Sequence, residues 1–230
     1  MTIPFSSGLV VSCQALEDEP LFGSDVMAKM AWAAELGGAV AIRSNTPSDI
    51  LAIRAKVQLP IIGIYKVQYP DSPVYITPTL REVDAILATG AEIISLDATA
   101  RRRPNGQHLA DLVAHIRQHG RLSMADVSTV QEAIHAERLG FDLISTTLSG
   151  YTETTQGRRL PDLDLVSETV EQVRIPVLAE GQIATHQDFV ECFIRGAYAV
   201  VIGTAITRPQ IITKRYVEAF QSWNRSVKMM

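Results

Sequence analysis

The stretch Val173-Arg174-Ile175-Pro176-Val177-Leu178-Ala179-Glu180-Gly181-Gln182-Ile183 decides the predicted fold of this chain. It reads as a short apolar strand that ends at a carboxylate and then at a glycine. A second apolar strand, Ala199-Val200-Val201-Ile202-Gly203-Thr204-Ala205, follows one predicted helix later. Two consecutive parallel strands that end in glycine turns are typical of the phosphate site after strands seven and eight of a (β/α)8 barrel. Glycine lets backbone amides approach an anion closely, so we predict a bound phosphate here.

Short apolar runs recur along the whole chain, and a helix-like segment follows each of them. This alternation predicts βαβ units and a parallel sheet. An open doubly wound sheet is the alternative, but it usually has fewer strands and a G-x-G-x-x-G first turn, which this chain lacks. We predict an α/β fold, a phosphate-binding (β/α)8 TIM barrel that forms a single domain over residues 1–230. The predicted strands are 9–13, 39–42, 61–65, 92–96, 122–125, 142–145, 177–179 and 199–202.

Capping residues and glycines delimit the predicted helices. The helices are expected to begin near Ser24, Thr79, Ser128 and Thr185 and to end at Gly37, Gly90, Gly140 and Gly196. The last helix is predicted over residues 209–220. Residues 221–230 are expected to be a frayed or partner-contacting tail.

Composition excludes several classes of protein. The net charge of -4 and the pI near 5.7 disfavour a nucleic-acid partner, which would favour a basic face. No apolar run approaches the roughly 20 residues of a membrane span, and the first residues lack the pattern of a signal peptide. Cys13 and Cys192 have no metal-type spacing, so we expect buried thiols in a reduced, cytoplasmic protein.

Every predicted strand ends in a polar residue, although the strands themselves are apolar. In a barrel the chemistry lies at the carboxyl ends of the strands, where the βα loops begin. These ends are therefore the candidate site. In chain order they are Gln14, Arg43, Lys66, Asp97, Asp126, Thr146 with Thr147, Glu180, and Gly203 with Thr204.

Strand periodicity places the charged ends on one face. Side chains alternate with period two along a strand, so Lys66 shares a face with Ile62 and Glu180 shares one with Leu178. Converging charges need mutual pairing or a ligand, because isolated buried charges are costly. Lys66 and Glu180 are the candidate acid–base pair, since burial and neighbouring charges shift such pKa values. The alternative is an ion-pair network that only closes the top of the barrel.

The other charged residues at the strand ends each allow more than one role. The fork of Arg43 suits an oxyanion or a carboxylate partner. Asp126 could orient Lys66 or accept a hydrogen bond from a substrate hydroxyl. The run Arg101-Arg102-Arg103 could recognise an anion or form an exposed basic loop, and the sequence favours neither.

Three further patterns carry less weight. His115 and His119 have the spacing of a two-His metal face, but no third ligand accompanies them, so no metal site is predicted. The segment Ser149-Gly150-Tyr151-Thr152 is interpreted as a lid or as part of the phosphate site. Trp32 and Trp223 are interpreted as packing or interface residues. The apolar C-terminal region favours a homodimer.

Several blocks resemble the bacterial N-acetylmannosamine-6-phosphate 2-epimerases of sialic acid catabolism. They are PIIGIYKVQYPDSPVYITPT at 60–79, ISLDATARRRPNG at 94–106, MADVSTVQEAIHAERLGFDLISTTLSGYT at 124–152, VLAEGQI at 177–183 and AVVIGTAITRPQ at 199–210. The resemblance runs from about residue 8 to residue 220. Where the family commonly has IRAN, this chain has Ile42-Arg43-Ser44-Asn45, which keeps the arginine.

The resemblance implies a phosphate-binding (β/α)8 barrel that interconverts N-acetylmannosamine 6-phosphate and N-acetylglucosamine 6-phosphate without metal or redox cofactor. It implies catalysis by Lys66 and Glu180. The other residues it implies are Gln14, Arg43 and Asp126 around the sugar, Gly181, Gly203 and Thr204 near the phosphate, and Arg208 over the ligand.

Two other functions remain open at this point. Lys66 could form a Schiff base in a lyase or synthase that acts on a phosphorylated carbonyl compound. The barrel could also be a binding module that holds a phosphorylated sugar without catalysis. Either would need the same anion site.

Overall fold

Eight parallel strands close into a barrel in the computed structural model, which describes residues 2–228. Each strand pairs with its neighbour in sequence, and β8 pairs back onto β1. The strands are β1 (Gly8–Cys13), β2 (Ala41–Asn45), β3 (Ile61–Ile64), β4 (Ile93–Asp97), β5 (Leu122–Asp126), β6 (Leu143–Ser145), β7 (Val177–Glu180) and β8 (Ala199–Ile202). The predicted (β/α)8 fold is confirmed.

Helices alternate with these strands. They are α1 (Ser24–Leu36), α2 (Pro47–Arg54), α3 (Leu80–Leu87), α4 (Leu109–Gln118), α5 (Val130–Leu139), α6 (Leu163–Gln172), α7 (His186–Ile194), the short α8 (Thr204–Thr207) and α9 (Pro209–Lys228). None of the helices between residues 2 and 228 combines the length and the apolar composition that a membrane-spanning helix needs.

The predicted strand positions are confirmed, but β2, β4, β5 and β7 reach further at their carboxyl ends than the apolar runs. β2 was expected at 39–42 and extends to Asn45, so Arg43 lies inside the strand and pairs with Ile62 of β3. Asp97, Asp126 and Glu180 are likewise the last residues of their strands. Polar residues continue the sheet here because backbone pairing does not depend on side-chain polarity.

Strand alternation divides the core into two layers. Inward-facing residues such as Ala41, Met124 and Leu178 fill the barrel. Their sequence neighbours, such as Ile42 and Ala125, pack outward against the helices. Because the period is two, the same inward rows continue into polar residues at the carboxyl ends of the strands. The row that contains Ala41 reaches Arg43, the row of Met124 reaches Asp126, and the row of Leu178 reaches Glu180.

Reciprocal capping boxes start several helices. Thr79 with Glu82 starts α3, and Thr185 with Asp188 starts α7. The predicted start of α5 at Ser128 is off by one residue, because Thr129 is the cap. Ser128 instead donates from both its amide and its hydroxyl to Glu132, each at 2.8 Å, which extends the capping box by one residue.

The C-terminal helix corrects a prediction. A frayed or partner-contacting tail was expected over residues 221–230, and the last helix over 209–220, but α9 continues to Lys228, so the segment is not frayed as far as that residue. Neither glycine nor proline interrupts this segment, and apolar residues recur at helical spacing through Phe220 and Trp223. The last two residues of the predicted tail, Met229 and Met230, lie outside the described residues.

Thr169 of α6 is fully buried, and its hydroxyl has no hydrogen-bond partner among residues 2–228. Burying an unpaired hydroxyl costs about 1–3 kcal/mol. We expect Thr169→Val to raise the free energy of unfolding by about 1 kcal/mol, measured by thermal and urea unfolding.

Thr155 is the matched control, because it is equally buried but bonded. Its hydroxyl accepts from the Gly150 amide at 3.0 Å and lies 2.7 Å from the Thr152 hydroxyl. Thr155→Val should therefore lower stability. If both valine variants are destabilised alike, the Thr169 hydroxyl is not an unpaired group.

Candidate active site

A cavity of about 450 Å³ opens at the carboxyl end of the barrel. Its walls come from the ends of β1, β2 and β3 on one side and from the loops after β6, β7 and β8 on the other. Of the residues that were assigned to catalysis, to the sugar or to the phosphate, all except Asp126 line it. They are Gln14, Arg43, Lys66, Glu180, Gly181, Gly203, Thr204 and Arg208.

Arg43 bridges two carboxylates at the floor of this cavity. One guanidinium nitrogen, Nη2, donates to Asp126 Oδ2 at 2.6 Å, and the other, Nη1, donates to Glu180 Oε1. Arg43 is only 1% exposed. Burial lowers the pKa of its guanidinium, but the charges of Asp126 and Glu180 outweigh that effect and raise the pKa above its ordinary value. Arg43 is therefore always charged and fixes both carboxylates in one plane.

Asp126 lies one layer below the cavity. It is fully buried and does not line the cavity wall, although it was expected around the sugar. Burial raises the pKa of its carboxyl to about 6, with Glu180 adding to the rise and Arg43 opposing it. In this structure Asp126 reaches the cavity only through Arg43 and Thr147.

Thr147 joins the same two carboxylates from the opposite side to Arg43. Its hydroxyl lies 2.7 Å from Asp126 Oδ1 and 3.0 Å from Glu180 Oε2. The Ser145 hydroxyl lies 2.8 Å from Thr147 Oγ1. Sequence reasoning placed Thr147 at a strand end but gave it no role. Its signal is the run of hydroxyl residues that closes β6, whereas five of the other strands have a charged residue at or near their carboxyl ends.

Lys66 occupies the other side of the cavity, just beyond β3. Its ammonium donates to Gln14 Oε1 at 2.7 Å, and Gln14 in turn donates to Ser12 at 2.7 Å. Within residues 2–228 it forms no salt bridge with a carboxylate. Burial and, after it, the positive charge of Arg43 lower the pKa of Lys66 to about 8, against the opposing charge of Glu180. A substantial neutral fraction is thus available near neutral pH.

The glycine turns after β7 and β8 form the remaining wall. Gly181 has a φ of 125°, a backbone conformation that favours glycine. Gly203 lies so close to β1 that a Cβ atom there would meet the Ser12 Cβ at 3.3 Å. Thr204 then begins α8, whose first amides have no carbonyl acceptor within the helix. Backbone donors and small residues therefore face the cavity together.

Arg208 closes this wall. Its Nη1 donates to the Thr204 hydroxyl at 3.2 Å. Its Nε lies 2.7 Å from Glu19 Oε1, but the N–H is not aimed at that oxygen, so the contact is an ion pair without a hydrogen bond. Glu19, in the loop after β1, also accepts from Gln210 at 3.1 Å. Sequence reasoning missed Glu19.

Three other residues that sequence reasoning left out, or left open, line the cavity. Tyr75 lies in the loop between β3 and α3, Tyr151 in the loop after β6, and Arg215 on α9. Burial raises the pKa of Tyr75, and the charges of Asp126 and Asp97 add to the rise. Of the four residues predicted as a lid or phosphate loop, only Tyr151 reaches the cavity.

The arginine run after β4 lies outside the cavity. Arg101 pairs with Asp97 at 2.7 Å, and Arg103 is buried and donates to the backbone carbonyl of Pro78 at 2.9 Å. Burial lowers the pKa of Arg103 to about 10. Arg102 is exposed. The run therefore anchors the β4 loop through two of its members.

The two histidines with metal-type spacing, His115 and His119, lie at the end of α4. His115 lies 2.7 Å from Asp84, and within residues 2–228 no group of three or more His, Cys, Asp or Glu residues is placed to hold a metal ion.

Residues 27–222 match the model of the family described as "Putative N-acetylmannosamine-6-phosphate epimerase". Similar proteins include the "Putative N-acetylmannosamine-6-phosphate 2-epimerase" of Clostridium perfringens, 53% identical over 210 residues that cover 91% of this chain and 95% of that protein. A protein of the same name from Listeria monocytogenes is 50% identical over 218 residues, which cover 93% of this chain and 92% of that protein.

Solved structures agree with this result. The N-acetylmannosamine-6-phosphate 2-epimerase of Clostridium perfringens superposes with a TM-score of 0.90 at 53% identity, covering 92% of each chain. Thiamine phosphate pyrophosphorylase of Pyrococcus furiosus gives a TM-score of 0.58 at 19% identity, covering 88% of this chain and 90% of that one. The second likeness shows the barrel fold alone.

The lowered pKa of Lys66 can be measured directly. After reductive methylation with 13C-formaldehyde, the Lys66 resonance should titrate near pH 8 rather than near the ordinary lysine value of 10.5. The Lys66→Arg variant assigns the resonance, because it removes that signal alone. A midpoint near 10.5 would mean that the cavity does not desolvate this amine.

Proposed function

The chain belongs to the N-acetylmannosamine-6-phosphate epimerase family, and on this premise we propose that it interconverts N-acetylmannosamine 6-phosphate and N-acetylglucosamine 6-phosphate. One observation carries the proposal at the level of the site. Lys66 and Glu180 line a single cavity together with the glycine turns after β7 and β8. The cavity thus combines acid–base groups with an anion-binding wall.

Inversion of C2 requires three things of this cavity. The C2 proton is acidic in the open-chain aldehyde, where the carbonyl is adjacent. A base must remove it, positive charge or hydrogen-bond donors must stabilise the enolate, and a proton must return to the other face. A distant phosphate supplies binding energy that holds the reacting end in place.

Lys66 and Glu180 are the proposed catalytic residues. With a pKa of about 8, Lys66 is neutral in enough molecules to accept a proton and is acidic enough to return it. It reaches the cavity without a carboxylate partner, whereas Glu180 is tied to Arg43. Glu180 supplies negative charge beside the reacting carbon and balances Lys66 when that residue is protonated.

The sugar and phosphate ends of the substrate have separate supports. We assign Gln14, Arg43 and Asp126 to the sugar end, with Asp126 acting from beneath through Arg43. The proposed phosphate ligands are the backbone of Gly181, Gly203 and Thr204 and the side chain of Arg208. Amides at glycine turns and at the first turn of α8 are suitable donors to phosphate oxygens.

The proposed reaction needs neither a metal nor a redox cofactor, because C2 inversion moves a proton without net oxidation. We place the enzyme in sialic acid and amino-sugar catabolism and treat the chain as one barrel domain. We also propose a cytoplasmic location, since both cysteines, Cys13 and Cys192, are free and buried.

We further propose a homodimer that buries the outer face of α9. Exposed apolar side chains recur at helical spacing along this helix at Tyr216, Phe220, Trp223 and Val227, and Tyr216 is 76% exposed and Trp223 60% exposed. Leu36 of α1 and Ile194 of α7 are also exposed apolar residues. A second copy offers the complementary surface to both, as closed two-fold symmetry requires.

Proton NMR in heavy water tests the reaction. The protein should replace the C2 hydrogen of N-acetylmannosamine 6-phosphate with deuterium and produce N-acetylglucosamine 6-phosphate labelled at C2. Lys66→Ala should lower this rate by about 10²–10⁴-fold while circular dichroism shows a folded barrel, and Glu180→Ala should also be severely impaired.

Lys56→Ala is the matched control, because Lys56 is exposed in the loop before β3 at the opposite end of the barrel. It should exchange at the wild-type rate. Binding without exchange would identify a binding module, and a borohydride-trapped adduct on Lys66 would identify a Schiff-base enzyme. Either result would replace the proposal.

The dimer is tested by light scattering coupled to gel filtration. Trp223→Glu places a charge within the apolar stripe of α9, so we expect it to convert the dimer to a monomer. Ser222→Glu adds the same charge on another face of the helix and should remain dimeric. A monomeric wild type, or a dimeric Trp223→Glu, would contradict this interface.

A further inference from the structure

A chain of hydroxyl groups links Asp126 to Glu180 beneath the cavity. Thr147 Oγ1 lies 2.7 Å from Asp126 Oδ1, 3.0 Å from Glu180 Oε2 and 2.8 Å from Ser145 Oγ. Ser145 Oγ lies 3.3 Å from Glu180 Oε2. We call Asp126 and Glu180 the carboxyl pair. The other oxygen of each member accepts from Arg43, so both ends of the pair are held in position.

The number of protons shared by the carboxyl pair and its bridging hydroxyl groups sets the charge of this hydrogen-bonded network. Each hydroxyl carries one proton, and an ionised carboxylate only accepts hydrogen bonds. If both members were ionised, Thr147 could donate to only one of them. Its other contact, at 2.7 or 3.0 Å, would then bring two oxygens together without a hydrogen. If one member of the carboxyl pair carries an additional proton, both contacts of Thr147, with Glu180 and with Asp126, contain a hydrogen.

The balance of charges around the carboxyl pair also favours one proton on the pair. The charged or titratable groups around the pair are Arg43 of β2, Lys66 and Tyr75 of the loop after β3, and Asp97 of β4. Asp97 is paired with Arg101, and Arg208, whose charge acts on Lys66, is paired with Glu19. When Lys66 is neutral, Arg43 is the positive charge next to the pair and balances one carboxylate. A second buried negative charge would be costly.

We propose that Thr147 holds a single proton between Asp126 and Glu180, so that the carboxyl pair carries one negative charge while Lys66 is neutral. This inference rests on the function proposed above. Thr147 is then a positioning residue that acts through the pair, whereas Lys66 meets the substrate.

The shared proton fixes the direction of the hydrogen bonds in this network. Asp126, the more deeply buried member of the pair, holds the proton and donates it to Thr147, and Thr147 donates its own to Glu180. Glu180, at the cavity wall, is then the carboxylate that faces Lys66 when Lys66 takes the C2 proton and becomes positive. No proton enters or leaves the pair during this step, so its net charge stays constant.

Infrared spectroscopy of the Lys66→Met variant tests the proton count without requiring turnover. Methionine mimics the neutral lysine, so this variant should show a carboxylic-acid C=O band at pH 5.5, below the pKa of about 6 to which burial raises Asp126. Adding Glu180→Gln or Asp126→Asn should remove the band, because a lone carboxylate beside Arg43 ionises. Absence of the band at pH 5.5 in Lys66→Met overturns the proposal.

Kinetics test the role of the hydroxyl. Thr147→Val should lower kcat by about tenfold or more, change KM little, and shift the pH dependence of kcat, because the pair loses its bridge. Thr147→Ser keeps the hydroxyl and should restore most of kcat. Thr169→Val makes the same chemical change at a buried site far from the cavity and should keep the wild-type pH profile.

These outcomes separate the two proposals. A wild-type protein that shows no C2 exchange, with the infrared band intact, overturns the epimerase function and leaves the shared proton standing. A fully active Thr147→Val, or a Thr147→Ser that is as impaired as Thr147→Val, overturns the bridging role and leaves the epimerase function standing.

Discussion

The buried ion pairs of Arg43 with Asp126 and Glu180 are the interaction on which the rest of the site depends. A barrel interior is filled by inward-facing side chains, so charged residues at the strand ends lose their water. Burying such charges costs several kcal/mol each unless they are paired and hydrogen-bonded. Arg43 satisfies both carboxylates at once through its fixed fork, at 2.6 Å for Asp126 Oδ2. The arrangement is more readily explained by its use in the site than by any gain in stability.

The same network explains why Lys66 can act as a base. Arg43 lies near enough to lower the pKa of Lys66, and its carboxylate partners are engaged with Arg43 rather than with the lysine. A direct Lys66–Glu180 salt bridge would hold the amine in its charged form and reduce its basicity near neutral pH. The amide of Gln14 holds the lysine in place without adding negative charge. The neutral amide of Gln14 thereby positions the Lys66 ammonium, while Arg43 and its carboxylate partners across the cavity adjust its pKa.

Much of the fold could be predicted from the sequence, because period-two alternation and glycine turns are local signals. The inward rows through Met124 and Leu178 led correctly to the carboxylates at their ends. The depth at which each strand-end residue lies below the cavity could not be predicted from the sequence. Asp126 was therefore expected around the sugar, whereas it is fully buried beneath the cavity. Thr147 was placed at a strand end but given no role, because a threonine there has no distinctive pattern and its contacts depend on distances to residues on other strands. The length of α9 was underestimated because a helix with an exposed apolar stripe resembles a tail when its partner surface is unknown.

The order of the strands places the proposed phosphate ligands on one side of the cavity and most of the acid–base groups on the other. The proposed phosphate wall uses backbone from the β7 and β8 turns, where Gly203 packs so closely on Ser12 that a side chain would meet it at 3.3 Å. This wall consists of backbone, with Arg208 as a charged side chain, and the charge of Arg208 also lowers the pKa of Lys66. The acid–base groups come from β2, β3, β5 and β7 and share one electrostatic network. Glu180 is the last residue of β7 and Gly181 the first of its turn, so adjacent residues serve the two functions. Binding energy gained at the phosphate can therefore hold the reacting carbon against Lys66, while the negative charge of the phosphate acts on Lys66 by offsetting that of Arg208.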